Sequence, residues 1–152
     1  MSDITLTIDG RTVHAAPGTT ILEAARSIGI KIPTLCWHED LGAPSACRVC
    51  VVEIVGSRIL QPACSYPASQ GMTVRTNSPV VREARRMTVE LLLAHHPDDC
   101  LSCARNLRCE LQQLASDFGI REIRFERVER GLPKDESSPS IVRDPEKCIN
   151  CR

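Results

Sequence analysis

The amino-acid sequence predicts an α+β fold, and three observations lead to that prediction. Residues 4–8 alternate apolar and polar side chains with a period of two, as strands do, and Asp9-Gly10 follows as a turn signal. Apolar residues then recur at helical spacing after Thr20 and again after Ser78. Nine cysteines stand against one Trp, one Tyr and two Phe in 152 residues. Because large aromatic side chains are scarce, we expect bound metal to help hold the chain together.

Residues 1–77 are predicted to form the first unit. A β-hairpin over residues 4–15 is followed by a short helix that begins with a capping box of Thr20 and Glu23. Residues 30–50 contain proline, glycine and three cysteines, which indicates a loop shaped around a bound group. Further strands are expected at residues 51–55, 58–62 and 72–76.

The remaining chain is predicted to comprise a second unit over residues 78–126, a linker over 127–147 and the beginning of another unit over 148–152. Ser78 followed by proline is typical of a helix start, and apolar residues recur at helical spacing as far as Ala94. A second short helix follows the cysteine-rich segment. The predicted linker is charged, contains three prolines and offers little apolar surface.

Charge and hydropathy exclude several classes of function. The 19 basic and 19 acidic side chains balance, so the chain has no overall field that would attract nucleic acid. The N-terminus lacks a basic leader, and no stretch approaches about 18 consecutive apolar residues. We therefore expect a cytoplasmic protein with no direct membrane insertion. The arginines of the first long helix alternate with glutamates and are expected to face solvent, namely Arg82, Arg85 and Arg86.

The cysteine count favours metal ligation over disulfides. It is odd, and no export signal accompanies it. The chain also lacks the glycine-rich fingerprint of a dinucleotide site and the Walker A motif. We predict no catalytic residue in this chain, and hydride chemistry would therefore lie on a partner.

The first set of cysteines is Cys36, Cys47, Cys50 and Cys64. Two ligands on one tight loop and two from flanking segments can complete a four-thiolate site. Residues 42–46 have small side chains, which would let backbone N–H groups approach the sulfurs of an anionic cluster. Structural zinc is the alternative, but zinc sites commonly use two C-x2-C pairs and this set contains one. The spacing favours an iron–sulfur cluster.

The second set combines one imidazole with three thiols: His96, Cys100, Cys103 and Cys109. These four residues are enough to ligate one centre. Spacing does not separate His96 from His95, and a zinc site with three cysteines and one histidine remains open at this point.

The third set, Cys148 and Cys151, is incomplete. A bacterial ferredoxin-type cluster needs the run C-x2-C-x2-C-x3-C, and two thiols do not hold a cubane. We expect this pair to be unligated and to belong to a cluster site whose other ligands lie further along a longer parent chain.

Several stretches of the sequence resemble one known module in order and spacing. They are Pro33–Cys36, Ala46–Cys50, Pro62–Cys64, His96–Cys103 and Cys109–Gln112. These stretches are similar to the N-terminal region of the large subunit of NAD(P)-linked iron-only (FeFe) hydrogenases. Similar modules begin the large subunit of NADH-quinone oxidoreductase and the NAD-linked formate dehydrogenases. Residues 138–148 resemble the hydrogenases most closely.

The resemblance implies a β-grasp, ferredoxin-like domain with a 2Fe-2S cluster on the first cysteine set. It implies a small helical domain with a 4Fe-4S cluster on the second set, with His96 rather than His95 as the ligand. Cys148 and Cys151 match the first two ligands of a ferredoxin-type domain with further 4Fe-4S clusters, as found in the full-length parent enzymes.

The implied function is electron transfer. The chain would pass single electrons between a partner subunit that binds flavin and NAD(P)H and a hydrogen-activating site outside this chain, in a complex that also holds small ferredoxin-like subunits. The alternatives are the same module of a formate dehydrogenase or NADH-quinone oxidoreductase and, in another class, a zinc-stabilised interaction module without a redox role.

Overall fold

The computed structural model describes residues 3–128, 130–149 and 151, and its architecture is α+β, as predicted. The strands are β1 (Ile4–Ile8), β2 (Arg11–Ala15), β3 (Val51–Ile54), β4 (Gln61–Pro62) and β5 (Thr73–Arg75). The helices are α1 (Ile21–Ser27), α2 (Pro79–Ala94) and α3 (Glu110–Asp117). Some predicted positions lie outside the described residues: 1 and 2 of the first unit, 129 of the linker, and 150 and 152 of the last unit.

The five strands form one mixed sheet in the order β2-β1-β5-β3-β4. The central pair, β1 and β5, is parallel, and the other neighbours are antiparallel. Helix α1 contacts β2, α2 contacts β3, and α3 packs against α2. This order, with a parallel pair at the centre, is the β-grasp arrangement that the resemblance implies.

The predicted hairpin is present, and its turn explains its sequence. Asp9 and Gly10 have φ angles of 47° and 80°, as a two-residue type I′ turn requires. The Asp9 carboxylate accepts hydrogen bonds from the backbone N–H and the hydroxyl of Thr76. The turn is thereby joined to the segment that leads into α2.

Strand β4 is shorter than predicted. Residues 58–60 lie outside it, because the Ser57 hydroxyl donates to the Ile59 carbonyl and accepts the Ile59 N–H. This local hydrogen bonding satisfies backbone groups that a longer strand would have paired. Of the predicted strand over residues 58–62, only Gln61–Pro62 pair with β3.

Helix α1 begins with the predicted capping box. The Glu23 N–H donates to the Thr20 hydroxyl at 3.2 Å, and the Thr20 N–H donates to the Glu23 carboxylate at 2.8 Å. Two backbone N–H groups at the helix start are thus satisfied. The cap directs the buried face of α1, with Ile21 and Leu22, into the sheet.

Thr20→Ala is expected to lower the free energy of unfolding by about 1 kcal/mol, because it removes the cap of α1. Denaturant unfolding of the two proteins in the same state of metal loading measures this. Thr19→Ala is the matched control, since the neighbouring threonine lies outside the capping box. Equal losses in the two variants would contradict the assigned role of the cap.

The buried apolar side chains of the described residues form two clusters. The first, here called the sheet core, lies between the sheet and α1, and Cys50 and Cys64 are among its members. The second, here called the helix core, joins the cysteine loop to α2 and α3. It is formed by Leu35, Cys36, Cys47, Val49, Val89, Leu111 and Leu114. Residues of the predicted first and second units therefore share one core.

The segment predicted as a linker has structure of its own. Asp135 and Arg143 form an isolated antiparallel bridge, and Pro145–Lys147 form a short 3-10 helix. The Arg130 side chain donates to the Pro145 carbonyl at 2.9 Å. Among the described residues, no helix has the length and apolar character needed to cross a membrane.

Candidate metal centres

The first cysteine set is buried and arranged as two pairs. Cys36 and Cys47 form one pair, in which the Cys47 N–H donates to the Cys36 sulfur at 3.5 Å. Cys50 and Cys64 form the other and share a hydrogen bond between their side chains. One pair belongs to the helix core and the other to the sheet core. The first site therefore lies where the two cores meet.

The loop before β3 turns its polar groups toward the sulfurs. Ser45 and Arg48 have φ angles of 55° and 59°, an unusual backbone conformation for residues other than glycine. The main chain of Val49 hydrogen-bonds the Cys47 sulfur, and the Ser45 hydroxyl lies 3.4 Å from the Cys64 sulfur. Hydrogen bonds of this kind stabilise anionic sulfur. The sequence predicted backbone N–H groups of residues 42–46 at the sulfurs; in the structure the polar groups come from the Ser45 side chain and from the main chain of Cys47 and Val49.

Three thiols of the first set have shifted pKa values. Burial raises the pKa of Cys47, and the hydrogen bond to Cys64 raises the pKa of Cys50. Accepting that same bond lowers the pKa of Cys64 to about 6, with a further contribution from Ser45. Because metals bind thiolates, the lowered pKa of Cys64 favours ligation by this sulfur, and ligation by Cys47 and Cys50 has to displace their protons.

The second set of predicted ligands lines one cavity. His96, Cys100, Cys103 and Cys109 all contribute to its wall, together with Asn106 and Gln112. Gln112 accepts the Leu107 N–H at 2.9 Å and donates to the Asn106 side chain at 3.0 Å, which ties the loop to α3. Cys109 is the N-cap residue of α3. The start of α3 and the loop before it therefore hold the three thiols around a shared space.

The two neighbouring histidines are oriented differently. The His96 Nδ1 lies 3.1 Å from the Pro97 carbonyl oxygen, to which it donates, so Nε2 keeps its lone pair. The His95 Nδ1 lies 2.9 Å from the Leu91 carbonyl, one turn back along α2. Of the two, His96 lines the cavity with the three cysteines.

The third set lies near the other two. Cys148 is half-buried, and Lys147 forms an ion pair with Asp99 in the loop of the second site. Cys151 is exposed and lines a cavity that Cys36 also lines.

Two donor arrangements emerge from these positions. Among residues 3–128, 130–149 and 151, no three or more His, Cys, Asp or Glu side chains are arranged to hold a single ion. The first set instead offers two pairs of thiols, and the second offers four donors around a cavity. Both arrangements fit multi-iron groups, in which sulfide completes the coordination of each iron.

The positions of two arginine side chains near the first site were not predicted from the sequence. The Arg26 guanidinium lies 3.8 Å from the centroid of the Trp37 ring, beside Cys36. Arg85, expected to face solvent, is buried in the structure. Its spacing carried a signal, because it lies one helical turn from Val81 and from Val89, both buried in α2.

Two known families match the two regions of the chain that contain these sites. Residues 2–79, more than half of the chain, match the family described as the 2Fe-2S iron-sulfur cluster binding domain. The chain belongs to this family. Residues 85–124 match the NADH-ubiquinone oxidoreductase-G iron-sulfur binding region. The two matches confirm 2Fe-2S and 4Fe-4S binding and disfavour the zinc alternative.

The relatives of this 2Fe-2S family member are subunits of oxidoreductases. It is 49% identical to the NADP-reducing hydrogenase subunit HndD of Solidesulfovibrio fructosivorans over 100% of the chain and 27% of that protein. It is 41% identical to an NADH-quinone oxidoreductase subunit of Rhizobium meliloti over 98% of the chain and 18% of the relative. It is 36% identical to the NADH-ubiquinone oxidoreductase 75 kDa subunit of Reclinomonas americana over 95% and 21%.

A solved structure also matches the 2Fe-2S family member. A chain of an NAD+-reducing [NiFe]-hydrogenase in the H2-reduced state superimposes with a TM-score of 0.91 at 36% identity, covering 97% of this chain and 62% of that one. The chain spans about a quarter or less of the length of the curated relatives. The predicted resemblance is confirmed: the chain is an iron–sulfur electron-transfer module similar to regions of NAD(P)-linked hydrogenase and NADH-quinone oxidoreductase subunits.

Proposed function

We propose that this chain relays single electrons through two clusters with separate ligand sets. The first, a 2Fe-2S cluster, is held by Cys36, Cys47, Cys50 and Cys64. The second, a 4Fe-4S cluster, is held by His96, Cys100, Cys103 and Cys109. Cys148 and Cys151 are the first ligands of a further 4Fe-4S site that a longer parent chain completes.

The pairing of the first four thiols carries this proposal. In a 2Fe-2S cluster each iron takes two cysteine thiolates, and bridging sulfides supply its other ligands. The pairs Cys36–Cys47 and Cys50–Cys64 match that stoichiometry. The hydrogen-bond donors around the sulfurs supply what an anionic cluster requires.

The cavity in front of α3 supports the second cluster. Its wall provides three thiols and one imidazole, and the Pro97 carbonyl fixes the tautomer in which Nε2 of His96 is free to coordinate iron. His95 likewise donates through Nδ1 to a backbone carbonyl, that of Leu91, so the tautomer does not separate the two rings. The place of His96 on the cavity wall with the three thiols supports it as the ligand.

The protein contributes burial and orientation, whereas the clusters supply one-electron chemistry. All four thiols of the first site are buried, which excludes water from their sulfurs. The backbone donors keep the sulfurs in place, and no proton donor or base is needed. A relay of this kind has no catalytic residue.

We place the chain in an NAD(P)-linked FeFe hydrogenase of the cytoplasm, where thiols remain reduced. Its electrons would pass between a subunit that binds flavin and NAD(P)H, accompanied by small ferredoxin-like subunits, and a hydrogen-activating site outside the chain. The 49% identity to an NADP-reducing hydrogenase subunit and the match to an NAD+-reducing [NiFe]-hydrogenase chain support a hydrogenase as the parent. The 41% identity to an NADH-quinone oxidoreductase subunit supports that alternative parent.

Anaerobic iron, zinc and sulfide analysis, combined with low-temperature EPR of the dithionite-reduced chain, tests the proposal. About six irons per chain and two distinct reduced signals are expected. Zinc without sulfide, and no signal, would contradict it. The parent is tested separately by asking whether the full-length protein and its partner subunits couple hydrogen oxidation to NAD(P)+ reduction.

His96→Cys is expected to lower the midpoint potential of the 4Fe-4S cluster. A thiolate in place of a neutral imidazole makes the cluster more negative and therefore harder to reduce, the direction known from Rieske centres. Redox titration monitored by EPR measures the change, with the 2Fe-2S signal as an internal reference. His95→Gln, which alters the neighbouring ring, should leave the potential unchanged. An unmoved potential in His96→Cys would show that this histidine is not a ligand.

A further inference from the structure

Arg85 of α2 is buried beside the first site. Its side chain is 4% exposed, on the face of the helix that packs against β3. The Nε and Nη2 atoms both donate to the carbonyl oxygen of Val51, at 3.1 and 2.8 Å. Val51 directly follows Cys50. The guanidinium is therefore fixed next to a proposed ligand of the 2Fe-2S cluster.

The partners of Arg85 leave its charge only partly balanced. Its hydrogen-bond acceptor is a neutral carbonyl, and a buried charge is costly unless another charge compensates it. The Asp9 carboxylate attracts the charge of Arg85, but both Asp9 oxygens already accept hydrogen bonds from Thr76. Cys50 adds a favourable interaction only when its sulfur is a thiolate, the form that ligates iron. Compensation from the sulfur site therefore accompanies occupation of that site.

Arg85 remains charged in this environment. Burial lowers the pKa of its guanidinium to about 10, which is still well above neutral pH. The other two arginines of α2 have different surroundings. Arg82 is exposed and donates to the Asn77 carbonyl, and Arg86 pairs with Glu90.

We infer that Arg85 is a positioning residue that sets the potential of the 2Fe-2S cluster through its buried positive charge. This inference rests on the proposed function. Reduction takes one electron from a one-electron donor, breaks no bond and moves no proton at Arg85. The cluster becomes more negative by one charge while the guanidinium stays positive, so Arg85 stabilises the reduced form more than the oxidised form. Its charge therefore raises the midpoint potential.

The test compares neutral and charged replacements of Arg85 in the reconstituted full chain. Arg85→Gln and Arg85→Met remove the charge, Arg85→Lys retains it, and Arg82→Gln removes an exposed charge from the same helix. The neutral variants are expected to lower the equilibrium constant for reduction of the 2Fe-2S cluster about tenfold. For a one-electron couple this lowers the midpoint potential by about 59 mV. Arg85→Lys should keep the midpoint potential close to the wild-type value. Arg82→Gln should change the potential little, because solvent screens the charge of Arg82.

Each outcome has a defined meaning. A neutral variant that holds the cluster at the potential of Arg82→Gln overturns the inference. If both neutral variants fail to hold the cluster, the test rests on whether Arg85→Lys holds it and at what potential. A loaded Lys variant near the wild-type potential supports the role of charge. An unloaded Lys variant means that the forked hydrogen bond to Val51 is what matters, and it overturns the inference. A wild-type chain without iron and sulfide would instead refute the proposed function itself.

Discussion

Cys47→Ala is expected to abolish the 2Fe-2S signal and to leave the 4Fe-4S signal in place. The substitution leaves one iron with a single thiolate, Cys36, and alanine offers no replacement ligand. Iron content should fall from about six to about four per chain. EPR of the reduced protein together with iron analysis measures both changes.

Two further variants serve as controls for Cys47→Ala. Cys151→Ala also removes a thiol but lies outside both proposed ligand sets, so both signals should persist. Cys103→Ala should show the reverse of Cys47→Ala, with loss of the 4Fe-4S signal and about two irons retained. A Cys47→Ala protein with both signals intact would refute the assignment of the first site.

Glu90→Gln is expected to lower the free energy of unfolding by about 2–4 kcal/mol. The Glu90 side chain is fully buried, and its two carboxylate oxygens accept hydrogen bonds from Arg86 at 3.2 Å and from Arg124 at 2.7 Å. Hydrogen bonds to charged groups are worth about 1.5–3 kcal/mol each. Glutamine keeps the shape of the side chain but loses its charge. Its NH2 group would also stand where a carboxylate oxygen now accepts a hydrogen bond from an arginine, so two donors would face each other.

Glu83→Gln is the matched control for Glu90→Gln. Glu83 also pairs with Arg124, at 3.5 Å, but its side chain is 56% exposed. Exposed pairs contribute little, so this variant should change stability by less than about 1 kcal/mol. Denaturant unfolding of both variants at equal cluster loading measures the difference. Similar losses in the two would show that burial of Glu90 does not strengthen its ion pairs.

Local signals explain what could be predicted from the sequence. The Asp9-Gly10 turn, the Thr20 capping box and Ser78 before Pro79 each specify a structure through neighbouring residues, and each is found where expected. The spacing of the cysteines likewise indicated two separate ligand sets. These features depend on few long-range contacts, so the sequence carries them directly.

The features that were missed depend on the tertiary structure. The burial of Arg85 follows from β3 lying across α2 and offering the Val51 carbonyl, a partner 34 positions away. Spacing also left His95 and His96 equivalent, and the resemblance favoured His96. In the structure His96 lines the cavity with the three cysteines, a placement that spacing alone could not give.

The helix core has a consequence for protein engineering. Cys36 and Cys47 pack with Val89 and Leu114, from α2 and α3, rather than with the sheet. A transplant cut at the predicted boundary after residue 77 would expose these apolar side chains and loosen half of the first ligand set. We therefore expect a graft that runs from β1 through α3 to keep its iron, and a graft of the ferredoxin-like part alone to lose it.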